Sequence, residues 1–302
     1  MLKLDPETLQ TSLMARTEYA LNCGALQPIP TDYEFIEQDG IRFLVRVLSN
    51  LARKEKARQQ QIKKKTTSAE VFNPFLPYEE DLFVADISDT HLCLLNKFNV
   101  VDRHLLMITR AFEAQDSELT RQDFEAMWAC MAGIDGLMFY NSGRTAGASQ
   151  RHKHLQLVPL PLAPEGPMLP IGKAIAATRF QSDIGTTPVF PFRHAVANLD
   201  PTWVNSPSTA ADATLERYWA LLRAVGLKQD AAENGITSPG AYNLLATREW
   251  MAIVPRSQES FQSISINALG FAGALLVRDS QQLQLLKNNG PMNLLKHVAL
   301  TD

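Results

Sequence analysis

Phe139-Tyr-Asn-Ser-Gly-Arg-Thr-Ala-Gly-Ala-Ser-Gln-Arg-His-Lys-His-Leu-Gln-Leu-Val158 is the stretch on which the reading of this chain turns. Leu137–Asn141 and His152–Val158 read as strands, separated by a loop of Ser, Gly and Ala. Side chains alternate along a strand, so His152, His154 and Gln156 are expected on one face, with Lys153, Leu155 and Leu157 on the other. The loop, with Gly143 and Gly147, can close backbone N–H groups around an anion. An imidazole beside such a cradle is the arrangement needed for nucleophilic attack on phosphorus.

Outward from this stretch, Asp5-Pro6-Glu7 reads as the start of a helix with Leu9, Leu13 and Ala20 or Leu21 on its apolar face, stopped at Gly24. Asp39-Gly40 is a two-residue hairpin signal between Tyr33–Glu37 and Ile41–Leu48. Leu82–Asp86, His91–Asn96 and His104–Thr109 are three further strands. Thr120 and Asp123 resemble a capping box opening a helix with Phe124, Met127, Trp128 and Met131 in its core stripe. Prolines at 159, 161, 164, 167 and 170 exclude helix and central strand and mark either a long surface excursion or a boundary, taken between 1–170 and 171–302. Beyond it come a helix over Ala211–Val225, a strand pair Tyr242–Ala246 and Trp250–Val254, and helices over Asp279–Lys287 and Met292–Val298. Strands with occasional helices, without strict alternation, predict an α+β fold with a largely antiparallel sheet and flanking helices.

The composition excludes several classes. With 29 basic against 32 acidic residues and a net charge of -3, the 302-residue chain is no basic nucleic-acid coat. Its 45% hydrophobic content is too high for a disordered chain. No apolar run approaches the roughly 20 residues of a membrane span. The first residues lack the apolar core of a secretory signal. Cys23, Cys93 and Cys130 are too scattered for a disulfide framework or a cysteine-based zinc site. A protein of a reducing compartment, the cytoplasm, is expected, with no membrane and no nucleic acid as partner. The segment Arg53–Lys65 carries seven basic residues in thirteen; most are read as solvated, with an electrostatic lure for a polyphosphate as the functional alternative.

His-x-His-x-Gln after Asn-Ser-Gly resembles the histidine-triad superfamily, and Gln156 in place of a third His points to its transferase branch, which includes galactose-1-phosphate uridylyltransferase. Within that branch the pattern is most similar to the diadenosine tetraphosphate phosphorylases, or ATP adenylyltransferases. Leu95-Asn-Lys-Phe98 leading to His104, Tyr242-Asn-Leu244 with Val254-Pro-Arg-Ser257, and Asn267…Gly270…Gly273 carry the same resemblance, which spans nearly the whole chain. It implies a catalytic first half and a related second half that completes the nucleotide site. It further implies attack by His154 on the α-phosphorus of a dinucleoside polyphosphate, release of ATP, and transfer of the adenylyl group to phosphate to give ADP. Gln156 would hold the transferred phosphoryl oxygens, with His152 beside it in the catalytic motif. Asn141, Gly147, Ala148, Ser149 and Gln150 match the phosphate cradle, and Asn96 and Lys97 a nucleotide-contacting pair. Asn267, Ala268, Leu269, Ala274 and Arg278 match further nucleotide contacts, and Lys54 a substrate-binding lysine. Ala148 stands where the family often has Ser, which removes a hydroxyl but leaves the backbone N–H. Arg278 replaces a Lys, and Ala274 a larger apolar residue. Mg²⁺ is implied as a companion of the polyphosphate, with no metal site of the protein's own.

Three other readings stand beside this one. His152 and His154 could bind a metal, but His91, His104 and His194 sit in no ligand-spaced motif. His104 reads as a buried, satisfied histidine, and Trp219 and Trp250 as packing residues. The chain could transfer adenylyl from ADP or a sulfo-nucleotide to another small anion such as sulfate, or could be a dinucleotide-polyphosphate sensor without turnover; an intact His154 and Gln156 speak against the latter.

Overall fold

The computed structural model describes residues 1–48, 73–227 and 239–301. Helix α1 (Pro6–Asn22) starts where Asp5 accepts the Glu7 N–H at 3.0 Å, with Pro6 in the first turn. Strands β1 (Thr31–Gln38) and β2 (Ile41–Leu48) form the expected hairpin. Asp39 and Gly40 both take positive φ, 52° and 76°, as the favoured two-residue turn requires. Next come β3 (Phe83–Asp86), β4 (His91–Leu95), β5 (Leu105–Thr109), helix α2 (Arg121–Gly133), β6 (Gly136–Asn141) and β7 (His154–Pro159). The capping box at α2 is complete: the Thr120 side chain accepts from the Asp123 N–H, and Asp123 Oδ2 accepts the Thr120 N–H at 2.7 Å.

After the proline run lie helix α3 (Gly172–Ala176), strands β8 (Arg179–Gln181), β9 (Ile184–Thr186) and β10 (Ala195–Asn198), and helix α4 (Pro207–Ala224). Strands β11 (Tyr242–Ala246), β12 (Trp250–Pro255), β13 (Ser260–Phe261) and β14 (Ile264–Ser265) follow. Helix α5 (Ala268–Phe271), strand β15 (Ala274–Val277) and helices α6 (Ser280–Asn289) and α7 (Pro291–Val298) close the described chain. Helix α4 starts four residues before the expected Ala211, because Pro207 occupies its first turn, where a missing N–H costs nothing.

Ten strands form one antiparallel sheet in the order β3-β4-β5-β7-β6-β11-β12-β10-β9-β8. The fold class is therefore the expected one, α+β with a largely antiparallel sheet. Its first five strands precede the proline run and its last five follow it. The seam is the β6–β11 ladder, which pairs Asn141 with Asn243 and Phe139 with Leu245. One face of the sheet packs on α1, α2 and α4, through Leu9, Leu13, Phe124, Met127, Trp128, Tyr218 and Leu221. On the other face, Leu137, Phe139, Val158 and Leu245 pack with residues of β2, α5, β15 and α7. There a three-stranded sheet, β1-β2-β15, lies over the large one, with β15 parallel to β2. Alternation predicts this division along β7. Leu155 and Leu157 join the helical face, and Val158 the opposite one. The strand runs from His154 to Pro159, however, so the expected span of 152–158 starts two residues too early and stops one short. No helix among the described residues is long and apolar enough to cross a membrane.

Candidate active site

Between the large sheet and the three-stranded one lies a cavity of about 960 Å³. β7 contributes His154 and Gln156 to its wall, β6 contributes Asn141, and the following loop contributes Gly147, Ser149 and Gln150. Asn96 and Lys97 enter from the end of β4. From the second half come Asn267, Leu269, Ala274 and Arg278. Residues drawn from more than 180 positions of sequence thus meet around one space of the size that takes a small molecule.

His154 is 5% exposed. Its Nδ1 lies 2.8 Å from the carbonyl oxygen of His152. A carbonyl can only accept, so Nδ1 carries the proton and Nε2 keeps its lone pair. Burial holds the imidazole down at about 4, so the ring is neutral at physiological pH. Phe75 contributes to that dryness, with its ring centroid 5.3 Å from that of His154. The position of the ring follows from Gln115, whose Oε1 accepts the His154 N–H at 2.8 Å and whose Nε2 reaches the carbonyls of Asn141 and His154 at 3.0 and 3.2 Å.

Gln156 Oε1 lies 2.9 Å from His104 Nε2, and His104 Nδ1 lies 3.1 Å from Asn96 Nδ2. The three side chains form one directed chain: Asn96 donates to His104, and His104 donates to Gln156. Gln156 Nε2 remains as a donor for the cavity. Burial lowers His104 to about 4, which keeps the ring neutral as this pattern requires. His104 is buried and satisfied, as the sequence suggests, and it also lines the cavity. Local sequence gives no signal of that second role, because its partners lie on β7 and at the end of β4.

His152 packs on the same Phe75 ring as His154 but does not line the cavity. It precedes β7, its Nε2 points to the Thr109 carbonyl at 2.8 Å, and its Nδ1 lies 3.0 Å from Asn73 Nδ2. The backbone there is bridged to Ala114 and bonded to Glu113 and Thr109 through Lys153, just outside the regular strand. Its ring, flanked by Phe75 and Phe112, is a wall behind the site, and its carbonyl is what fixes the tautomer of His154. Lys153 faces the other way as predicted, with Nζ 3.1 Å from Asp123 Oδ2 and 2.8 Å from Glu113 Oε2. Asp123 also receives His91 Nε2 at 3.1 Å.

The loop after β6 differs from the expected open cradle. The N–H groups of Gly147 and Ala148 donate internally, to the carbonyls of Arg144 and Gly143, so the Ala148 N–H is not an anion donor. Ala148 does not line the cavity, and Ala268 donates its N–H to Asn141 Oδ1 at 2.8 Å. Gly147, at φ +90°, comes so close to the second half that a Cβ would stand 2.8 Å from the Ile266 carbonyl oxygen. Lys97 is paired with Glu79 at 2.6 Å, and Arg278 reaches the Ser263 carbonyl at 3.2 Å. Arg46, on β2, adds a further guanidinium to the wall. Lys54 and the basic segment 53–65 lie outside the described residues. Among the described residues no group of three or more His, Cys, Asp and Glu side chains could hold a metal ion.

A family model described as Ap4A phosphorylase N-terminal domain matches residues 1–177, and one described as ATP adenylyltransferase C-terminal domain matches residues 188–301. Diadenosine 5',5'''-P1,P4-tetraphosphate phosphorylase 2 of Saccharomyces cerevisiae is 30% identical, over 74% of this chain and 74% of the yeast protein. The crystal structure of yeast Ap4A phosphorylase Apa2 superposes with a TM-score of 0.76 at 25% identity, covering 99% of this chain and 95% of that one. The structure of Apa2 in complex with Ap4A superposes with a TM-score of 0.77 at 23% identity, covering 100% and 99%.

Proposed function

Because the chain belongs to the Ap4A phosphorylase and ATP adenylyltransferase family, we propose that it cleaves diadenosine tetraphosphate with phosphate, to ATP and ADP, through an adenylyl group carried on His154. The observation that carries the mechanism is the 2.8 Å bond from His154 Nδ1 to the His152 carbonyl, which leaves Nε2 as an unprotonated nucleophile in the cavity. Nε2 forms a bond to the α-phosphorus as the bond from that phosphorus to the bridging oxygen breaks, and ATP leaves with the electron pair. Nδ1 keeps its proton throughout, and the His152 carbonyl faces the positive charge that the ring acquires. An oxygen of phosphate then attacks the same phosphorus, the P–N bond breaks, and ADP forms with the ring neutral again.

Gln156 and Asn141 are donors to the transferred phosphoryl oxygens. Neither amide can act as an acid or base at neutral pH, which suits an intermediate that waits for phosphate instead of being hydrolysed. Among the described residues no side-chain group forms a cage for a resident metal ion. Mg²⁺ is read as part of the polyphosphate substrate, where it offsets charge on the leaving ATP. Cys23, Cys93 and Cys130 are free thiols, which fits a reducing compartment such as the cytoplasm.

The test is product analysis of diadenosine tetraphosphate incubated with phosphate, with sulfate and with neither. ATP and ADP are expected with phosphate; phosphate-independent release of ATP and AMP overturns the phosphorylase reading. Without phosphate, mass spectrometry is expected to find one adenylyl group on His154. Turnover of His154→Ala is expected to fall about a thousandfold or more, with nucleotide binding retained. Unchanged turnover removes His154 from the mechanism.

A further inference from the structure

We propose that Asn243 and Arg256 are positioning residues of this site, which hold the Asn141 carboxamide with its Nδ2 hydrogens toward the cavity as donors to a nucleotide phosphoryl group. The proposal deepens the reading above, since it rests on the cavity taking a nucleotide phosphate.

The three residues lie in line on one face of the sheet. Asn141 ends β6, Asn243 stands opposite it across the seam, and Arg256 follows β12, two residues beyond the Val254 that pairs with Asn243. Residues in such diagonal register reach one another when the side chain is long. Arg256 Nη1 lies 2.6 Å from Asn243 Oδ1. Asn243 Nδ2 in turn lies 2.8 Å from Asn141 Oδ1 and 2.8 Å from the Ala146 carbonyl.

The direction of this chain is fixed by chemistry. A guanidinium has five N–H donors and no acceptor, so Asn243 must turn its oxygen to Arg256. Its amide nitrogen then faces Asn141, which must turn its own oxygen to receive it. The Ala268 N–H, which also can only donate, reaches the same Asn141 Oδ1 at 2.8 Å. Both observations orient Asn141 alike, and its nitrogen is left for the cavity it lines.

Arg256 is 4% exposed, and its six bonds all go to uncharged oxygens: Asn243 Oδ1 and the carbonyls of Ala146, Gln258, Glu259, Ile266 and Val298. Burial lowers the guanidinium only to about 10, so it is cationic at neutral pH. A charged donor at the head of a buried chain polarises each bond that follows. The Asn141 N–H groups are thereby made stronger donors. The Val254-Pro-Arg-Ser257 motif, to which the reaction chemistry itself assigns no task, acquires one here.

Asn243→Asp tests the relay. The carboxylate still accepts from Arg256 and leaves every backbone bond of the guanidinium in place, but it sets an acceptor against Asn141 Oδ1. Asn141 must then turn its oxygen to the phosphate or lose the bond. AMP affinity, read by calorimetry on protein with a cooperative thermal melt, is expected to fall about tenfold or more. Wild-type affinity overturns the proposal. A second measurement reads the relay in the wild-type chain. In the wild-type chain, the Asn141 side-chain amide proton signals, identified by their loss in Asn141→Asp, are expected to shift on titration with AMP. Unmoved signals in a chain that turns over diadenosine tetraphosphate overturn the relay alone. Shifted signals in a chain without phosphorolysis support the relay and overturn only the function proposed above.

Discussion

His154 is surrounded so as to make its ring a better nucleophile at low pH than an imidazole in water. With its conjugate acid held at about 4 by burial, the free enzyme keeps Nε2 unprotonated far below the ordinary value of roughly 6.5. Because kcat/KM reports ionisations of the free enzyme, its acid limb for the dinucleotide is expected near pH 4, with activity lost as pH falls through that value. Phe75→Ala, which admits water beside the ring, is expected to move the limb upward toward 6.5. A wild-type limb already at the ordinary histidine value would show that the ring is hydrated and the argument from burial wrong. At this scale the sequence was legible where a residue type and its strand parity suffice: His154, Gln156 and Lys153 sit on the faces their spacing predicts. It was not legible for His104, Gln115, Asn243 or Arg256. Their tasks depend on partners that only the sheet register brings within 3.1 Å or less.

Helix α2 shows how an element behind the site braces it. Asp123 serves as capping residue at the helix start, as anchor for His91 and as partner of the fully buried Lys153. Burial alone would raise its carboxyl. The bond from His91, the charge of Lys153 and the bond from Thr120 overcome this and hold it at about 2. A carboxyl so depressed contributes stability above its unfolded value of roughly 3.9, and that contribution is lost as pH falls through about 2. Asp123→Ala removes the cap and leaves Lys153 with Glu113 as its remaining carboxylate. Urea unfolding at pH 7 is expected to show roughly 3–5 kcal/mol less stability. A loss of only about 1 kcal/mol, the worth of a cap, would show that the ion pair contributes little. The capping box and the Asp39-Gly40 hairpin were readable because each is a local pattern with one geometric outcome. Strands β8, β9 and β15 were not. Arg179-Phe-Gln181 and Ile184-Gly-Thr186 are too short to show a period, and β15 is a strand through its parallel pairing with β2, about 230 positions earlier.

On the scale of the whole molecule, the large sheet is made of two consecutive runs of five strands, and the site sits on the join. Cut between them, each run would carry a raw edge, β6 on one side and β11 on the other, with the unpaired N–H and C=O groups that invite association. These edges are complementary in register, and the β2–β15 ladder gives a second junction of four residue pairs. Two polypeptides divided in the proline run are therefore expected to recover nucleotide binding when refolded together, and to aggregate or self-pair when refolded alone. Mixing separately labelled fragments and measuring AMP binding checks this; full binding by either fragment by itself would refute it. In that sense the molecule is a split reporter in waiting, since its ligand site exists only when both pieces are present.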